Sequence, residues 1–88
     1  MVARHVIVHG RVQGVTFRDS LRRQAGQRGV SGWTRNRPDG TVEAVLEGEP
    51  DAVDAVVEWC GRGPRAARVE RVEVHERAPG GQRGFDVR

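Results

Sequence analysis

The chain has 88 residues, of which 36% are hydrophobic and 31% charged, enough for one core without disulfide staples. No apolar run approaches the ~20 residues of a membrane span, and the N-terminus has no signal-peptide-like apolar stretch, so a cytoplasmic protein is expected. The net charge is +3, and every one of the 15 basic side chains is arginine; this favours anionic ligands, but the arginines are interleaved with Glu and Asp rather than clustered into a nucleic-acid stripe.

Val2 to His9 is rich in β-branched residues and reads as a buried strand. Gly10-Arg11-Val12-Gln13-Gly14-Val15-Thr16-Phe17-Arg18 follows it and leads into an amphipathic run. A glycine loop between strand and helix can turn several N–H groups inward, and the helix start adds unpaired N–H groups. Arg18, in the first helical turn, could add a bidentate guanidinium to the same anion. Thr16-x-x-Asp19 resembles a capping box, with Thr16 as N-cap. Phe17, Leu21 and Ala25 share one helical face, and Gly29 suits the position after the C-cap, so the first helix is expected over Phe17 to Arg28.

Val30 to Arg35 reads as a second strand. Arg37-Pro38-Asp39-Gly40 is a turn signal. Thr41 to Glu47 alternates: Val42, Ala44 and Leu46 share a face, while Thr41, Glu43, Val45 and Glu47 form another that is expected to meet solvent. Glu49-Pro50-Asp51 opens a second helix, where proline suits the first position. Val53, Val56, Val57 and Cys60 make its core stripe, and Gly61 to Pro64 end it. Val69 to His75 is a fourth strand with Val69 out of phase, which points to a bulge or a late start. Phe85 and Val87 form a short last strand. The order β-α-β-β-α-β plus a final strand is that of a ferredoxin-like α+β sandwich, with two helices on one face of an antiparallel sheet. Residues 1–88 read as one domain.

Cys60, the lone cysteine, reads as a buried hydrophobe. His5 and His9 point to one side of their strand but lack ligand partners in the sequence, so no metal site is expected. Trp33 and Trp59 read as core. Asn36, the sole asparagine, ends a strand before the turn; turn chemistry is its simplest role.

Gly10 to Arg18 resembles the first signature of the acylphosphatases. Gly32-Trp33-Thr34-Arg35-Asn36-Arg37-Pro38-Asp39-Gly40-Thr41-Val42-Glu43, closing at Gly48, resembles the second, and the Gly84-Phe85 ending also fits. Thr34 departs from the small or aliphatic residue usual there, and its side chain is expected to face away from Asn36. The resemblance implies hydrolysis of a small acyl phosphate to a carboxylate and inorganic phosphate, with no metal or cofactor. It implies Arg18 and Asn36 as catalytic residues, and Gln13, Gly14, Val15, Thr16, Phe17 and Arg18 as the phosphate-binding set. Asn36 would hold the attacking water. Phosphate, the product, would compete with substrate. A monomer that binds neither nucleic acid nor membrane is expected. The contrasting reading is a non-catalytic anion- or nucleic-acid-binding module of the same fold.

Overall fold

The computed structural model describes all of residues 1–88. Its elements run β1 (Val2–Arg11), α1 (Phe17–Gln27), β2 (Ser31–Asn36), β3 (Val42–Gly48), α2 (Pro50–Cys60), β4 (Arg68–Arg77) and β5 (Phe85–Val87). They form one sheet in the order β4-β1-β3-β2-β5. The four long strands pair antiparallel, and the short β5 adds to β2 in parallel. This is the ferredoxin-like sandwich, with its sheet made mixed by the last strand.

The core lies between the sheet and the helices. Val6 and Val8 of β1 and Val42, Ala44 and Leu46 of β3 face Phe17, Leu21 and Ala25 of α1 and Val53, Val56 and Cys60 of α2. Burying each larger aliphatic or aromatic side chain contributes roughly 1.5–3 kcal/mol. The bulge signalled by Val69 is present: His9 pairs with Arg71 but Gly10 with Val69, leaving Glu70 as the extra residue. Gly10 lies there at φ +129, and a Cβ on it would stand 2.1 Å from the Arg68 carbonyl oxygen. Only glycine admits so close an approach.

The second face of β3 does not meet solvent. Val45 is fully buried, and Glu43 and Glu47 are only 9% and 7% exposed. β3 is the central strand, and Val45 is flanked in register by His5 and Trp33. Their large side chains cover what binary alternation assigns to water. Glu47 is covered by the connection from β4 to β5, which must reach the opposite edge of the sheet. Its carboxylate accepts hydrogen bonds from the N–H groups of Gly80 (2.7 Å), Gly81 (3.0 Å) and Gln82 (3.0 Å). Bonds to a charged acceptor contribute roughly 1.5–3 kcal/mol each, so this one side chain fastens the strap that delivers β5.

Trp33 lies on this helix-free face rather than in the core, under the Arg88 guanidinium at 4.4 Å from its ring centroid. Trp59 packs half-buried against Phe17, centroids 5.3 Å apart. Burial pushes the Cys60 thiol up to about 12, so its deprotonated, reactive form is suppressed.

The three histidines occupy the same helix-free face. His5 Nε2 lies 2.6 Å from a Glu43 oxygen, and the other Glu43 oxygen accepts from Arg35. His9 pairs with Glu73, which Arg71 and His75 also approach. No three His, Cys, Asp or Glu side chains are grouped to hold a metal ion. Burial pushes the Glu43 carboxyl up, but the hydrogen bonds and charges of His5 and Arg35 outweigh it and hold the group below the usual carboxylate range. A carboxyl lowered on folding contributes stability above its unfolded pKa, and that contribution disappears as pH falls through the folded value. We therefore expect the stability margin of the parent over Glu43→Gln to be present at about pH 5 and to shrink below about pH 4. Urea denaturation across that range checks this, and a margin independent of pH would contradict it.

Candidate active site

The chain leaves β1 at Arg11 and enters α1 at Phe17 through a loop with two left-handed residues, Gly14 at φ +73 and Thr16 at φ 59. Glycine adopts this region freely. A β-branched threonine does so only at a cost of order 1–3 kcal/mol. Thr16 is the sole non-glycine residue with positive φ. It precedes α1 but forms no capping box: its side chain makes no cap hydrogen bond, and its hydroxyl donates to the Val15 carbonyl oxygen at 2.6 Å. The left-handed backbone carries the hydroxyl away from the helix amides.

The consequence lies in the main chain. Ser20 N–H closes the first turn of α1 onto the Thr16 carbonyl. The N–H groups of Gln13, Gly14, Val15, Thr16, Phe17 and Arg18 donate to no acceptor within the protein. Consecutive N–H groups freed by a left-handed turn and a helix start form a concavity suited to an anion.

Of the loop residues, Gly14, Thr16, Phe17 and Arg18 meet Asn36 in one cleft of ≈160 Å³, whose lining does not include Gln13 or Val15. Gly14, Thr16, Arg18 and Asp19 line it from the loop and α1, Asn36 from the end of β2, and Val87 from β5, with Val12 and Phe17 beneath. A wider concavity of ≈400 Å³ at Met1–Arg4 and Glu76–Pro79 contains neither the glycine loop nor Asn36. Arg18 Nη1 donates to the Arg88 main-chain oxygen, while Arg88 N–H bonds the Thr34 carbonyl at 2.8 Å. The guanidinium is thus held at the cleft rather than left to sweep solvent. The Asn36 amide makes no hydrogen bond within the protein, so both its donor and acceptor ends are free.

Thr34 and Asn36 point to the same face, contrary to the expectation, because residues two apart in a strand share a face. Thr34 is fully buried, and its hydroxyl donates to the Glu43 carbonyl at 2.9 Å. Of the neighbouring arginines, Arg35 turns to the helix-free face and pairs with Glu43, and Arg37 approaches Asp39 at 3.7 Å.

A family model described as Acylphosphatase matches residues 4–87. The chain belongs to the acylphosphatase family. It is 66% identical over 84 residues to an acylphosphatase of Rubrobacter xylanophilus, covering 94% of this chain and 76% of that one. It is 55% identical over 86 residues to an acylphosphatase of Thermococcus kodakarensis, covering 98% and 94%. The crystal structure of the acylphosphatase from Bacillus subtilis superposes with a TM-score of 0.95 at 38% identity, covering 99% and 98% of the two chains.

Two features of the acylphosphatase signatures escape sequence reasoning. The left-handed Thr16 could not be read from its residue type, which argues against that conformation. The Gln13 side chain reaches the β2–β3 turn, where its Nε2 donates to the Arg37 and Thr41 carbonyls at 2.8 and 2.9 Å; only a known chain path could pair positions so far apart in sequence. Asn tolerates the left-handed region better than a β-branched residue. Thr16→Asn is therefore expected to raise stability by up to about 1 kcal/mol, measured by denaturant midpoint at unchanged slope. A loss of stability would place the strain elsewhere.

Proposed function

We propose that this chain hydrolyses acyl phosphates to a carboxylate and inorganic phosphate, by attack of water on a phosphoryl group held by the Gln13–Arg18 loop and the Arg18 guanidinium. The observation that carries this reading is the convergence, in a member of the acylphosphatase family, of free loop N–H groups, Arg18 and an unengaged Asn36 amide on one cleft. Residues 1–88 act as one domain in this reading.

An acyl phosphate has a good leaving group, so the protein need supply little beyond positioning and charge stabilisation. The N–H groups of Gln13, Gly14, Val15, Thr16 and Phe17 hold phosphoryl oxygens. Arg18 neutralises their charge with planar, paired donors. Asn36 accepts a hydrogen bond from water and donates to a phosphoryl oxygen, which places the nucleophile in line with the departing carboxylate. A phosphoryl oxygen of the substrate takes the water's proton. No metal or cofactor enters this scheme. Asp19, also at the cleft, pairs with Arg22 at 3.1 Å and is given no role in proton transfer.

Inorganic phosphate, as product, competes for the same loop. A monomer is supported by the charged β4 edge, where Arg68, Glu70, Arg71, Glu73, Glu76 and Arg77 disfavour strand pairing between copies. The cytoplasm is the proposed location; no helix is long and apolar enough to cross a membrane. A base-stacking role for the helix-free face is disfavoured by the carboxylates of Glu43 and Glu73 on it and by the strap pinned to Glu47.

Arg18→Ala is expected to lower turnover of benzoyl phosphate by at least ~10²–10³-fold and to abolish inhibition by phosphate. Parental activity in that variant would remove Arg18 from the site. For Asn36→Ala, kcat is expected to fall by a comparable factor while phosphate inhibition persists; weakened phosphate binding with kcat intact would refute the water-positioning role.

A further inference from the structure

We propose that the Gln13 side chain is a positioning residue that sets where Asn36 stands relative to the anion loop. This rests on the hydrolytic reading of the same cleft. Gln13 lies in the loop, and its Nε2 donates to the main-chain oxygens of Arg37 (2.8 Å) and Thr41 (2.9 Å). Both partners are acceptors only, so the NH₂ end of the amide must face them. The same two carbonyls close the turn from within: the Arg37 oxygen accepts Gly40 N–H at 3.1 Å, and the Thr41 oxygen accepts Arg37 N–H at 2.9 Å. Gln13 therefore adds a second hydrogen bond to each carbonyl that shapes the turn.

Asn36 is the residue immediately before this turn, and its own amide is tied to nothing. Its placement comes entirely from its backbone. Local bonds, chiefly Asp39 to Thr41 N–H (3.0 Å) and hydroxyl (2.6 Å), give the turn its shape. They do not locate it against the loop. The sheet does so only indirectly, because β1 and β2 are not neighbours and the β1–β3 ladder ends at Val8–Val42. Past that point, the Gln13 amide makes the only hydrogen bonds between residues 12–18 and residues 36–41. It couples the half of the site that holds phosphate to the half that holds water. In-line attack is sensitive to displacements of about 1 Å, which loss of such a strut permits.

Gln13→Met keeps the side-chain length and removes both donors. Its kcat for benzoyl phosphate is expected to fall ~10- to 100-fold, with the phosphate inhibition constant within about 3-fold of the parent, since the loop N–H groups and Arg18 remain. In an Asn36→Ala background, the same substitution is expected to cost less than about 3-fold, because a residue acting through Asn36 has nothing left to position. Amide exchange at Arg37 and Gly40 is expected to quicken several-fold. Unchanged kcat, an equal loss in both backgrounds, or a loss carried by phosphate affinity would each overturn the proposal. Unchanged exchange at Arg37 and Gly40 would overturn it whatever the kinetics. If the methionine disturbs the fold, Gln13→Ala is read by the same criteria. An inactive parent would remove the hydrolytic reading instead, and the exchange rates would still decide whether the strut exists.

Discussion

Six consecutive main-chain N–H groups, from Gln13 to Arg18, without acceptors in the protein are the constraint on which the rest of the site depends. Such groups are ordinarily paired with protein or water. The backbone there carries a left-handed Gly14 and a strained, left-handed, β-branched Thr16. The fully buried Val12 and Phe17 on either side anchor the loop in the core. Core packing thus sustains local strain.

The split βαβ topology brings the other parts to that loop. β2 is separated from β1 by β3, so Asn36 arrives from a strand that does not pair with the one preceding the loop. β5 extends the sheet beyond β2 and sets Val87 in the cleft, while the Arg88 main-chain oxygen steadies Arg18. This requires the chain to cross from the β4 edge to the opposite edge. The buried Glu47, far from the cleft in chemistry, fastens that crossing through three main-chain N–H groups. A carboxylate that alternation assigns to solvent is therefore part of what completes the site.

The two sheet faces divide the labour by charge. The helix side is apolar and supports the loop. The other side is a lattice of Arg35, Glu43, His5, His9, Glu73 and Arg71 that keeps carboxylates ionised and occupied. Of the 15 arginines, Arg22, Arg35, Arg37 and Arg71 pair with a carboxylate.

Sequence by itself determined the order of elements, the core faces of both helices, an irregularity at Val69 and the candidacy of Arg18 and Asn36. Those are local properties: periodicity, glycine and proline placement, and two short motifs whose spacing is written in the chain. Tertiary structure alone decided the left-handed Thr16 in place of a capping box, the burial of Glu43 and Glu47, the place of the half-buried Trp33 on the helix-free face, and the reach of Gln13 to the turn. Each depends on what lies opposite in space, whereas the shared face of Thr34 and Asn36 was already implied by strand periodicity. Propensity and alternation describe a residue's own backbone and side-chain direction, whereas cover, strain and a hydrogen-bond partner 24 or 28 residues away exist only once the chain has closed on itself.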